Sequence, residues 1–172
     1  LSRLGVSDIA LLDKGPLPNP GGSTGHASNF IFPVDHSKEM TALTLESMRQ
    51  YKELDVFIEC GGIEVARTEE RMQELTRRMA SAKSWGIEPV ELLTPQQVKE
   101  LVPYINERLI LGAFYTPGAG VVDSLRAGTI MRERAVDAGM TVMANTEVLG
   151  MDVERGRIRR VHTTRGDLEA DL

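Results

Sequence analysis

The stretch that most limits what this chain can fold into is the apolar run Ile9-Ala10-Leu11-Leu12, closed by Asp13 and followed by Lys14-Gly15-Pro16-Leu17-Pro18-Asn19-Pro20-Gly21-Gly22-Ser23-Thr24-Gly25-His26. A short continuous apolar run ended by an acid reads as a buried parallel strand with its carboxylate at the C-terminal edge of a sheet. That edge is where α/β sheets bind ligands. The prolines hold the following backbone extended, and Gly21-Gly22 lets it approach something bulky, with two hydroxyls and an imidazole directly behind. The pattern reads as a nucleotide cofactor held at three points.

Each residue of the stretch also has a plainer reading. Asp13 is placed to accept hydrogen bonds from both hydroxyls of a ribose, because a carboxylate is acceptor-only; a solvent-facing acid after a strand has the same spacing. Gly22, Ser23 and Thr24 offer backbone N–H groups and hydroxyls to a pyrophosphate, as anion-binding nests do. A tight turn needs the same glycines, but not the hydroxyls and histidine behind them. A lone histidine among small residues, such as His26, is more often a hydrogen-bonded structural group than a catalyst. Phe30 reads as a core aromatic.

The run Leu-Asp-Lys-Gly-Pro followed by Gly-Gly-Ser-Thr-Gly-His resembles the early part of the FAD-dependent dimethylglycine oxidase, dimethylglycine dehydrogenase and sarcosine dehydrogenase group, within the D-amino-acid-oxidase-like superfamily. Gly61-Gly62-Ile63-Glu64-Val65-Ala66, Ser84-Trp85-Gly86-Ile87-Glu88, Leu111-Gly112 and the closing meander fit the same group. The resemblance implies an α/β chain with α+β elements: a Rossmann-like FAD-binding domain from 1–56 and 122–172, with 57–121 given to a substrate-binding lobe. It implies that Asp13 binds the adenosine ribose with Lys14 beside it, and that Gly22, Ser23 and Thr24 take the pyrophosphate. Phe30 would line the flavin site, and the backbone of Val148 would meet adenine. It further implies that His26 carries the FAD covalently through a ring nitrogen at the 8α carbon. The implied reaction removes hydride from a small N-methylated amino acid such as dimethylglycine or sarcosine, leaving an iminium for water or for folate on a further C-terminal domain. FAD held non-covalently, or a Rossmann-like module with no redox role, are the alternatives. Two departures stand out: no Gly-x-Gly-x-x-Gly fingerprint is present, and Asn29 stands where a small glycine is common. No catalytic acid or base is assigned.

Composition narrows the field. A net charge of −5 with both signs interspersed argues against nucleic acid as the main partner. The single cysteine, Cys60, excludes an internal disulfide and a cysteine-based metal cluster. No run approaches the roughly 18 apolar residues of a membrane span, and the start does not resemble a signal peptide, so a cytoplasmic setting is the default expectation. Leu1-Ser2-Arg3-Leu4-Gly5 reads as the last turn of a helix, and 167–172 as a strand entering a buried run; the sequence looks like a piece cut at both ends.

Along the chain, 8–13 is the first strand, and 14–36 is a connection holding four of the eight prolines. Such a long connection is usually functional or disordered, and its glycines, hydroxyls and aromatics favour function. Ser37 caps a helix to about Leu54, with Met40, Leu43, Met48, Tyr51 and Leu54 at helical spacing. Strands around a Gly-Gly break occupy 57–66. Thr68 caps a second helix with Met72, Leu75, Met79 and Ala82 as its buried stripe. Residues 90–93 form a strand, and Thr94-Pro95-Gln96-Gln97 opens a short helix over 95–102. A strand spans 109–115. Gly118-Ala119-Gly120-Val121-Val122-Asp123 reads as a turn before a helix that opens at Asp123 or Ser124 and ends at Gly139, with Ala127, Ile130, Met131, Ala135 and Ala138 on one face. Short strands at 141–144, 148–153, 158–164 and from 168 onward follow, with a turn at 154–156. Acids interleave Arg155, Arg157, Arg159, Arg160 and Arg165, which marks a solvated meander. His36 and His162 lack metal-ligand spacing.

Overall fold

The computed structural model describes residues 1–18, 21–27 and 29–170. Asn19, Pro20 and Ser28 of the anticipated connection, and Asp171 and Leu172 of the anticipated last strand, lie outside the described residues. In chain order the strands are β1 Ala10–Leu12, β2 Phe30–Ile31, β3 Phe57–Glu59, β4 Gly62–Ala66, β5 Glu91–Leu93, β6 Gly112–Thr116, β7 Gly120–Val122, β8 Thr141–Met143, β9 Val148–Glu154, β10 Arg157–Thr163 and β11 Gly166–Glu169. The helices are α1 Lys38–Glu53, α2 Glu69–Ser84, α3 Pro95–Leu101 and α4 Ser124–Asp137, with 3-10 turns at Ser2–Leu4, Ser23–Gly25 and Glu107–Leu109. No helix among the described residues is long and apolar enough to cross a membrane.

The helix starts follow local chemistry. Ser37 Oγ, Thr68 Oγ1 and Thr94 Oγ1 each accept from the backbone N–H three residues on, which satisfies a donor that the helix itself leaves open. Gln97 closes the third of these as a reciprocal capping box. Gly5, at φ 81°, ends the first 3-10 turn as anticipated.

The chain divides into two compact units, Leu1–Ala27 with Ser124–Leu172, and Ser28–Asp123. In the second unit, β4, β6 and β5 form an antiparallel sheet against which α2 packs. Its core gathers Val34, Ala66, Leu75, Ala82, Val90 and Phe114, with Met72 and Met79 partly buried beside them, so the stripe expected of α2 is the one it buries. A second three-stranded sheet runs β2-β7-β3. Its central strand corrects the expectation of a simple turn over 118–123: residues 117 and 118 turn, and Gly120–Val122 is a strand of the sheet. Glycine is required there, because a Cβ would collide with the Ile58 carbonyl oxygen. Strands of two and three residues leave too little alternation for a period to show.

In the first unit β1 and β8 pair in parallel, Ala10 opposite Thr141 and Leu12 opposite Met143, with α4 leading into β8. The parallel direction agrees with the sequence, but the anticipated burial does not. Ala10 and Leu11 are exposed and Leu12 is half-buried, since the pair has two strands and little sheet face to cover. The stripes of α1 and α4 also bury less than expected. Met40, Leu43 and Met131 are exposed, whereas Thr41, Met48 and Ala127 are the buried residues of the two helices. Thr41 is accommodated because its Oγ1 accepts the Asp35 N–H at 3.0 Å.

Strands β9, β10 and β11 form the anticipated meander, turning at Arg155 and Gly156, both at positive φ. On it, His162 bridges three strands: Nδ1 lies 2.9 Å from Asp167 Oδ1, and Nε2 lies 3.1 Å from Asp152 Oδ1. Only the imidazolium can donate from both nitrogens. The bonds to Asp167 and then Asp152 therefore raise the His162 pKa above its ordinary 6.5. A raised folded-state pKa means that the stabilisation is fully present below the unfolded value and is lost as pH rises through the folded one. NMR titration of His162 should give a midpoint above 6.5, lowered by Asp167→Asn and less so by Asp152→Asn. A midpoint at or below the ordinary value would rule out the doubly bonded imidazolium.

Candidate functional site

The Asp13 end of β1 is held by backbone on every side. Its N–H donates to the Met143 carbonyl at 3.1 Å, and its own carbonyl accepts the Thr146 N–H at 2.8 Å. The Asn145 N–H reaches the Gly15 carbonyl at 3.1 Å. Asp13 Oδ1 accepts the Gly15 N–H at 2.7 Å, which sets the carboxylate's direction. A carboxylate has about four acceptor sites, so this bond leaves capacity for a diol. Asp13 is half-buried and Lys14 is exposed.

Thr146 is the residue that sequence reasoning missed here. It is 1% exposed, and its Oγ1 donates to the Ala144 carbonyl at 3.1 Å. Asn145, at φ 52°, makes the turn that delivers it, an unusual conformation that asparagine tolerates better than most. Glu147 and Thr164 then exchange two hydrogen bonds of 3.0 Å, which fastens this corner to the meander. Val148 follows two residues after Thr146, a reach of about 7 Å at full extension. Val148 therefore follows closely on the Thr146 whose N–H bonds the Asp13 carbonyl. Val148 opens β9 opposite Thr163 and is 40% exposed.

The second part of the stretch forms a single 3-10 turn. Gly21, at φ 80°, bends the chain, and Gly22 caps the turn in extended conformation. The Gly25 N–H donates to Gly22 at 3.4 Å, and the His26 and Ala27 N–H groups both donate to the Ser23 carbonyl at 3.0 Å. Among the described residues, the N–H groups of Gly22, Ser23 and Thr24 have no hydrogen-bond acceptor, as expected of the first residues of a helical turn. Residues 21–27 are exposed, and a Cβ at Gly21 or Gly22 would meet nothing within 4 Å, so the turn is open to approach. Ser124 Oγ, at the start of α4, donates to the Thr24 carbonyl at 2.7 Å. Open amides and hydroxyls are donors of the kind an anion takes, and the Asp13 carboxylate is an acceptor of the kind a ribose diol takes.

Phe30 belongs to the other compact unit. It pairs with Val121 in the β2-β7 ladder, and its ring meets Phe32 edge-on at 5.1 Å. Gly62 lies under both rings, where a Cβ would stand 2.8 Å from each. Among the described residues no group of three or more His, Cys, Asp or Glu is placed to hold a metal ion.

A family profile described as FAD dependent oxidoreductase matches residues 1–171. The chain is 29% identical over 176 residues to the mitochondrial pyruvate dehydrogenase phosphatase regulatory subunit of Mus musculus, with 98% of this chain and 20% of that protein covered. It is 29% identical over 182 residues to mitochondrial sarcosine dehydrogenase of Mus musculus, again with 98% and 20% covered. To sarcosine oxidase subunit beta of Arthrobacter sp it is 31% identical over 180 residues, 96% of this chain and 43% of that one. It therefore spans between a fifth and under half the length of these curated relatives. Among solved structures, L-proline dehydrogenase from P. horikoshii superposes with a TM-score of 0.87 at 22% identity, covering 98% of this chain and 45% of that one. Glycine oxidase from Geobacillus kaustophilus gives 0.80 at 27% identity, covering 94% and 46%.

Proposed function

The chain belongs to the FAD-dependent oxidoreductase family, and from that premise we propose that it holds the FAD of an enzyme that oxidises a small N-methylated amino acid of the sarcosine or dimethylglycine type. The observation that carries the cofactor reading is the open turn, with Gly22, Ser23 and Thr24 presenting N–H groups that have no acceptor among the described residues. These would take the pyrophosphate of FAD. Asp13 would accept the ribose hydroxyls, with Lys14 alongside, and the backbone at Val148 would face adenine. Every residue assigned to FAD except Phe30 lies in the unit of Leu1–Ala27 and Ser124–Leu172. Phe30 would line the flavin, and His26 would tether it covalently. The bound flavin supplies the acceptor for hydride from the substrate's C–H next to nitrogen. The chain's own part is to bind and orient it. The names of two relatives, sarcosine dehydrogenase and sarcosine oxidase subunit beta, support the substrate class. Folate would be a partner of the reaction product.

A second reading is a flavin-fold module with no redox role. The likeness to a phosphatase regulatory subunit favours it. Anaerobic addition of sarcosine or dimethylglycine to the flavin-loaded protein separates the two: the oxidoreductase bleaches its visible spectrum, and the module does not. Asp13→Ala should weaken FAD affinity at least about tenfold, as loss of a charged hydrogen-bond acceptor does. Unchanged affinity would remove Asp13 from the site.

A further inference from the structure

An exposed single 3-10 turn cannot owe its conformation to burial. The turn at Ser23–Gly25 is closed by three backbone bonds, one of them stretched to 3.4 Å, and none of residues 21–27 is buried. Short turns of this kind, with solvent on their hydrogen bonds, open easily when nothing else restrains them. One such restraint comes from a hundred residues away. Ser124 Oγ donates to the Thr24 carbonyl at 2.7 Å, and Ser124 is the first residue of the fourteen-residue helix α4. The bond grips the turn at its middle residue, between the N–H groups of Ser23 and Thr24 and the imidazole of His26.

We infer that Ser124 is a positioning residue for the cofactor: its hydroxyl fixes the Gly22–His26 turn to the start of α4 so that the open amides and the His26 ring hold one orientation. Ser124 is the first helical residue, one past the position whose side-chain oxygen caps a helix, and its hydroxyl proton goes to another segment, the turn. The inference rests on the flavin reading above for the identity of the ligand, and on the hydrogen bond alone for the hold on the turn.

Hydrogen exchange of the full chain in wild type, Ser124→Ala and Ser124→Thr, and FAD titration of the same three proteins carrying His26→Ala so that binding is reversible, test the two parts separately. In Ser124→Ala the His26 and Ala27 amides should exchange about tenfold faster, and FAD should bind about five- to tenfold more weakly, the scale of one lost hydrogen bond. Ser124→Thr keeps the hydroxyl and should restore both. Exchange and affinity equal to wild type in Ser124→Ala overturn the inference. So does faster exchange with unchanged affinity, which would leave Ser124 a structural role only. Wild-type protein that takes up no FAD overturns the flavin reading instead, and faster exchange in Ser124→Ala would then still support the hold on the turn.

Discussion

In the intact protein, replacing His26 with alanine is expected to move all of the flavin from the acid-precipitated pellet to the supernatant, whereas wild type is expected to keep it in the pellet. Acid unfolds the protein and abolishes every reversible contact, so only a covalent bond survives it. The substitution should leave the turn intact, because the part of His26 that closes it is the backbone N–H donating to Ser23. The side chain is exposed, and its loss opens no cavity. Reversible binding through Asp13 and the Gly22–Thr24 amides should persist in the variant, so the native protein stays yellow after gel filtration. A covalent link also requires the flavin to be held in place before it reacts. Ser124→Ala should therefore slow attachment without abolishing it. Wild-type flavin that washes entirely into the acid supernatant would end the covalent assignment while leaving the reversible site untouched.

The largest stability effect is expected at Arg78. Its side chain, 9% exposed, leaves α2 to donate through Nη1 to both Glu64 carboxylate oxygens on β4 at 2.7 Å, and through Nη2 to the Val34 carbonyl at 2.9 Å. One guanidinium thus joins a helix, a strand and the segment after β2. Removing one partner of a buried pair costs about 3–5 kcal/mol, because the other charge stays buried without it. Arg71, which also donates to Glu64 at 2.7 Å from the exposed edge, softens this loss. Arg78→Ala should therefore cost about 3 kcal/mol, the lower end of that range. For a chain of this size that corresponds to a melting temperature roughly 6–12 °C lower. Lysine should not restore it, since an ammonium cannot form the planar fork that serves Glu64 and Val34 together. Thermal and urea unfolding decide the matter, and a loss under about 1 kcal/mol, the range of an exposed ion pair, would show that the pair contributes no more than a surface one.

What the amino-acid sequence determined by itself was local. The caps Ser37, Thr68 and Thr94, the glycine stop at Gly5 and the turn at Arg155-Gly156 act within a few residues, and the structure repeats each of them. The helical spacing of the α2 stripe and the bend at Gly21 are of the same short range. Tertiary structure alone decided what lies across a face. Apolar spacing marks Met40 and Leu43 as one side of α1 and Leu11 as part of a strand, but it cannot say whether anything covers them, and here they are exposed. Strands β2 and β7 exist only by pairing with segments distant in the chain. Arg78, on α2 between Met72 and Ala82, becomes a buried fork because Glu64 and Val34 arrive from elsewhere. Thr146 against Asp13 and Ser124 against Thr24 are contacts of the same kind. Hydrogen bonds and burial depend on which partner comes within about 3 Å, and for segments more than a hundred residues apart only the folded chain sets that distance.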